Sequence, residues 1–136
     1  MVFETTASTI PPPRRKFEYY QKKRASAYNK HMIIQVEPKQ LQRELESENP
    51  PQLLDVREAD ELEISSFAHF KHIPLGQVPE RFGELDKDQD YVVTCRSGGR
   101  SGKACEFLAA QGYKVRNLNG GINRWAQEVD TSLPTY

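Results

Sequence analysis

From residue 33 onward, apolar residues fall into two alternating patterns. Short runs rich in β-branched and aromatic residues, bounded by turn-forming residues, are typical of buried strands. The clearest run is Tyr91-Val92-Val93-Thr94, which precedes a cysteine and a glycine-containing loop. On this basis we predict strands over residues 33–36, 53–56, 72–73, 91–94 and 114–118.

Helical spacing of apolar residues fills the intervals between these runs. Leu41 and Leu45 lie four residues apart and therefore share one helix face. Asp60 is a candidate N-cap, Gly112 can end a helix in the left-handed conformation, and Trp125 is expected to face the core. The spacing predicts helices over residues 38–47, 60–64, 79–85, 102–111 and 122–129.

The alternation of strands and helices defines the expected fold class. Successive strands separated by helices indicate parallel strands joined by crossovers. We therefore predict an α/β fold built on an open parallel sheet of four or five strands, with helices on both faces. Ligands of such sheets bind beyond the carboxyl ends of the strands, which is where Cys95 lies.

The first 31 residues differ in composition from the rest of the chain. They carry seven Lys or Arg residues against two Glu, for a net charge of +5, and a run of three prolines; the remainder carries −5. We expect residues 1–31 to form a basic, flexible tail or linker, and residues 32–136 to form one domain. A linker from another domain, a docking arm for an acidic partner and an organellar transit peptide remain alternatives.

Composition excludes several classes of protein. No apolar run reaches the ~18 residues of a membrane span, and no apolar stretch near Met1 indicates a secretory signal. The net charge of zero argues against nucleic-acid binding driven by bulk charge. Two cysteines among 136 residues do not form a disulfide framework, so a reducing, cytoplasmic setting is expected.

The stretch after the strand 91–94 carries the candidate chemistry. A strand leads into a loop with two glycines and then into a helix, a geometry that turns backbone N–H groups inward around an anion. We expect a thiol in that position to be ionised at neutral pH and to act as a nucleophile. The candidate residues are Cys95 as nucleophile and the loop Arg96, Ser97, Gly98, Gly99, Arg100 and Ser101.

Some of these residues leave two interpretations open. Ser101 is either a helix N-cap or a hydroxyl donor to the anion, and Cys105 is expected to lie in the core. His69 and His72 lack ligand spacing, so no metal site is predicted and no cofactor is indicated. The cysteine loop suits sulfur transfer through a persulfide and phosphoryl transfer through a phosphocysteine equally well.

Residues 33–136 resemble the rhodanese domain. The matching landmarks occur in the family's order at residues 54–58, 72–75, 95–100 and 119–122, followed by Trp125. Rhodaneses have a six-residue loop counted from the cysteine, as here, whereas related phosphatases have one residue more. The closest resemblance is to the C-terminal domain of adenylyltransferase–sulfurtransferases, because the tail 133–136 and the motif around Cys95 also match.

This resemblance implies particular roles. Cys95 would carry sulfur as a persulfide held by the amides of residues 96–100, and Arg96 and Arg100 would attract an anionic donor such as thiosulfate. Asp55 and Arg57 would order the loops around the site; the alternative is a surface ion pair worth ~0–1 kcal/mol. A sulfur-carrier protein or a cysteine desulfurase is the implied partner, with neither nucleic acid nor membrane expected.

The sequence also leaves other functions to be weighed against sulfur transfer. A non-catalytic or docking module is one alternative. A cysteine-based phosphatase or arsenate reductase is another, disfavoured by the loop length.

Overall fold

A computed structural model describes residues 33–136, which contain a sheet of five parallel strands. The strand order is β1-β5-β4-β2-β3. This confirms the predicted open parallel sheet and fixes its strand number at five. The strands are β1 (Gln35–Val36), β2 (Gln52–Asp55), β3 (Lys71–His72), β4 (Asp90–Thr94) and β5 (Lys114–Leu118).

Helices cover both faces of the sheet, as predicted. Adjacent strand residues point to opposite faces, so Leu54 packs in one apolar cluster and Leu53 in the other. Phe107 belongs to the first cluster, while Leu41 and Trp125 belong to the second. The α-helices are α1 (Pro38–Leu45), α2 (Ala59–Leu62), α3 (Val78–Arg81), α4 (Gly99–Ala110) and α5 (Gly121–Glu128).

Helix ends shift by one or two residues elsewhere, and three differences from the predicted helices have a clear local cause. Helix α4 begins three residues early because Gly98, at φ 107°, serves as its left-handed N-cap. Helix α2 is capped by Glu58 and not by Asp60, since the Glu58 side chain and Glu61 form a reciprocal capping box. The stretch predicted as one helix over 79–85 is instead α3 flanked by the short 3₁₀ turns Leu75–Gln77 and Phe82–Glu84.

Gly112 ends α4 as predicted, at φ 94°, where the amide of Tyr113 donates to the carbonyl of Leu108. The expectations for residues 1–31 lie outside the described residues. Within residues 33–136, no helix is long and apolar enough to cross a bilayer.

Candidate active site

The thiol of Cys95 lies directly beyond β4 and is surrounded by hydrogen-bond donors. Cys95 is buried, with only 1% of its surface exposed. Its Sγ lies 3.1 Å from the amide of Gly98, 3.4 Å from the amide of Ser101 and 3.3 Å from the hydroxyl of Ser101. Two backbone amides therefore donate to one sulfur, and they stabilise negative charge that develops on it during a reaction.

The cysteine loop is fixed by the start of helix α5. The amide of Ile122 donates to the carbonyl of Cys95 at 2.9 Å, and the amide of Asn123 donates to the carbonyl of Arg96 at 3.1 Å. These first-turn amides have no partner within their own helix, so the loop carbonyls satisfy them. Gly121 makes the approach possible, because a Cβ at that position would lie 2.6 Å from the carbonyl oxygen of Cys95.

The structure excludes one of the two roles predicted for Ser101. It lies inside α4 and is not the N-cap, so the capping interpretation is wrong. Its hydroxyl lies 2.5 Å from Oδ1 of Asn117 as well as near the cysteine sulfur. Asn117 in turn donates to the carbonyl of Gly98 at 3.2 Å. Asn117 was not among the predicted site residues; its position inside a strand, where asparagine is depleted, was the available signal.

Asp55 and Arg57 form a buried ion pair at the end of β2. Both side chains are 0% exposed, with 2.8 Å between Nη2 and Oδ2, so the alternative of a surface pair is wrong. Arg57 also donates to the carbonyls of Ser65 at 2.9 Å and Glu61 at 3.3 Å. Its own carbonyl lies 2.7 Å from Nε2 of His72. Arg57 thus ties together the segments that follow β2 and precede β3.

Arg100 lies in an ion pair that the sequence analysis did not anticipate. Its guanidinium contacts both carboxylate oxygens of Glu61, at 2.7 and 2.9 Å. Arg100 thereby lowers the pKa of Glu61 to about 2. The carboxylate offsets the positive charge of Arg100 close to the loop. The predicted role of Arg100 in anion binding stays a prediction.

Arg96 is exposed and lies over an aromatic ring instead of beside a carboxylate. Its guanidinium carbon is 4.9 Å from the centroid of the Tyr136 ring. The Tyr136 hydroxyl donates to Glu61 at 2.7 Å and accepts from Arg57 at 2.9 Å. Burial raises the pKa of this hydroxyl, which keeps it protonated. From the sequence, Tyr136 was only part of the motif over residues 133–136, and its contacts with Arg96, Glu61 and Arg57 were not predicted.

The remaining candidates lie away from the donors around the sulfur. Cys105 is fully buried in the first apolar cluster, as predicted, and burial raises the pKa of its thiol. His69 is exposed. Ser97 and Gly99 lie on the exposed side of the loop, and neither amide donates to Sγ. Among residues 33–136, no cluster of His, Cys, Asp or Glu could hold a metal ion.

A buried cysteine held by the backbone amides of a glycine-containing loop, at the carboxyl edge of a parallel α/β sheet, defines the class of domain to which this chain belongs. Comparison with family models narrows this class. The rhodanese-like domain model matches residues 37–128. The chain belongs to the rhodanese-like domain family, which confirms the resemblance inferred from its motifs.

Individual relatives support this assignment. The chain is 36% identical over 97 residues to a protein of Allochromatium vinosum named sulfurtransferase, covering 71% of this chain and 91% of that one. It is 33% identical over 95 residues to a protein of Zea mays named adenylyltransferase and sulfurtransferase MOCS3-2, covering 64% of this chain and 20% of that one. The chain thus spans nearly all of one relative and a fifth of the other.

A solved structure shares the fold. The crystal structure of a rhodanese-related protein from Thermoplasma volcanium superposes with a TM-score of 0.67 at 31% identity. The match covers 75% of this chain and 96% of that one.

Proposed function

We propose that this protein is a sulfurtransferase that carries sulfane sulfur on Cys95. The observation that carries the proposal is the convergence of the amides of Gly98 and Ser101 on the Cys95 sulfur, 3.1 and 3.4 Å away, in a domain whose relatives are named sulfurtransferases. A persulfide and its transfer both pass through anionic sulfur, which such donors stabilise.

With thiosulfate as donor, the reaction balances in two steps. The Cys95 thiolate attacks the sulfane sulfur; the new S–S bond forms as the old one breaks, and sulfite leaves with the electron pair. A nucleophilic acceptor such as cyanide or a thiolate then attacks the outer sulfur. The Cys95 thiolate leaves with the electron pair of that bond, so the enzyme returns unchanged. No external oxidant or reductant is needed.

The loop residues take distinct parts in this proposal. The amides of Gly98 and Ser101 hold the inner sulfur, and the exposed amides of Ser97 and Gly99 are placed to meet the outer sulfur or the donor. Arg96 attracts the anionic donor. The physiological partner in this proposal is a sulfur-carrier protein or a cysteine desulfurase.

A mass measurement tests the proposal. The protein is incubated with thiosulfate, freed of excess reagent and weighed intact. We expect the mass to rise by one sulfur atom and to return on addition of cyanide. Cys95→Ala should show no gain, whereas Cys105→Ala should still gain sulfur because Cys105 lies in the core.

Failure to gain sulfur from either thiosulfate or a cysteine-desulfurase persulfide would contradict the proposal. Turnover of an aryl phosphate that is lost in Cys95→Ser would point instead to phosphatase chemistry.

A further inference from the structure

The last residues of the chain fold back from α5 to the cysteine loop. Both backbone polar groups of Tyr136 are held by the side chain of Asn123: its carbonyl accepts at 2.9 Å and its amide donates at 3.3 Å. The backbone amide of Asn123 also binds the carbonyl of Arg96. One residue of α5 therefore positions Tyr136 and the loop together.

The Tyr136 side chain joins groups that would otherwise be separate. Its hydroxyl bridges Arg57 of the buried pair and Glu61 of the Arg100 pair. Its ring lies beneath the guanidinium of Arg96. Within residues 33–136, Arg96 has no carboxylate at ion-pair distance, unlike Arg57 and Arg100. The ring face thus holds the guanidinium of the residue that directly follows Cys95, and it does so without neutralising the charge.

We propose that Tyr136 is a positioning residue that sets the preference of the site for anionic substrates by holding Arg96 at the mouth of the Cys95 loop. The inference rests on the proposed function only for the identity of the substrate. A free arginine side chain samples many rotamers, so loss of the ring spreads its charge away from the cysteine. Arg100 also interacts electrostatically with Cys95, but its ion pair with Glu61 offsets part of that effect.

The test compares two alkylating reagents that differ in charge. Iodoacetate is anionic and iodoacetamide is neutral. The ratio of the iodoacetate rate to the iodoacetamide rate at Cys95 reports the electrostatic field at the sulfur, because the nucleophilicity of the sulfur affects both rates equally. We expect Tyr136→Leu and Arg96→Gln each to lower this ratio by about fivefold, the effect of one charge acting across solvent at short range. Tyr136→Phe keeps the ring and should keep most of the ratio.

One control and one further variant distinguish this role from a general structural effect. Lys114→Gln removes one positive charge at the opposite end of the sheet and should leave the ratio unchanged. Asn123→Ala loosens Tyr136 while preserving the backbone amide that binds Arg96, and should lower the ratio in a chain with an intact ring. It also keeps the test available if Tyr136→Leu does not fold.

The same variants separate this inference from the proposed function. If the protein transfers sulfur, Tyr136→Leu should raise the KM for thiosulfate about fivefold and change kcat much less. If it takes up no sulfur, the proposed function fails but the alkylation ratio still decides the role of Tyr136. An unchanged ratio in Tyr136→Leu and Asn123→Ala overturns the inference.

Discussion

Removal of the Asp55 carboxylate tests how far the site depends on its buried ion pair. The substitution Asp55→Ala leaves the guanidinium of Arg57 fully buried and without its charge partner. Three contacts from the guanidinium to Asp55, at 2.8, 3.0 and 3.1 Å, are lost together with the bond from the Arg57 amide at 3.0 Å. Breaking such a pair costs about 3–5 kcal/mol, because the remaining charge stays desolvated. We therefore expect the free energy of unfolding to fall by that amount.

Urea denaturation followed by far-UV circular dichroism measures this loss. A loss of 3 kcal/mol would lower the Tm of a domain of about 100 residues by at least ~12 °C. The matched control is Glu84→Ala, which breaks the exposed pair between Arg81 and Glu84. That change should stay within about 1 kcal/mol.

A double variant separates the pair's geometry from its charge. Asp55→Leu combined with Arg57→Met removes both charges, so it should be clearly more stable than Asp55→Ala. The reasoning is refuted if Asp55→Ala costs less than about 1 kcal/mol, or if the double variant is no more stable than the single one.

Three further predictions concern the loop and its neighbours. Gly121→Ala should lower the free energy of unfolding by more than about 1–2 kcal/mol and should slow alkylation of Cys95, because residue 121 is left-handed and its Cβ would meet the cysteine loop. The control Gly83→Ala, where a Cβ meets nothing, should have neither effect. Ser101→Ala should slow alkylation of Cys95 by iodoacetamide at neutral pH about tenfold, since a hydroxyl that lies 3.3 Å from the sulfur and donates to Asn117 is lost. Urea titrations over a pH series should show that Glu61→Gln is less stable than the parent protein above pH 4.5. The difference in the free energy of unfolding should vanish as the pH falls toward 2, because the folded-state pKa of Glu61 is lowered. A difference that stays constant with pH would contradict this.

The strands and the nucleophile could be predicted because their signals are local. The run ending at Thr94 is apolar and β-branched, and β5 was predicted with its observed bounds. Cys95 follows directly, so its place at the carboxyl edge of the sheet depends only on the strand being parallel. Trp125, an aromatic at helical spacing from Ile122, was assigned correctly to the core.

The contacts around the nucleophile could not be predicted because they join distant parts of the chain. Tyr136 reaches Glu61 and Arg57 across more than 70 residues, and no periodicity encodes that meeting. The start of α4 was misplaced for a different reason. Ser101 is a strong cap by type, but Gly98 adopts the left-handed conformation that begins the helix earlier.

The sheet order sets when this site can form during synthesis. Among the strands of residues 33–136, β1 is made first, yet within that range it pairs only with β5, the last. Through Gln35, β1 also contacts Asn117, whose amide reaches the cysteine loop. The carbonyl of Cys95 gains its hydrogen-bond donor only after Ile122 of α5 has been made. A nascent chain whose final helix is still inside the ribosome therefore carries Cys95 in a loop whose carbonyls have not yet met the amides of Ile122 and Asn123.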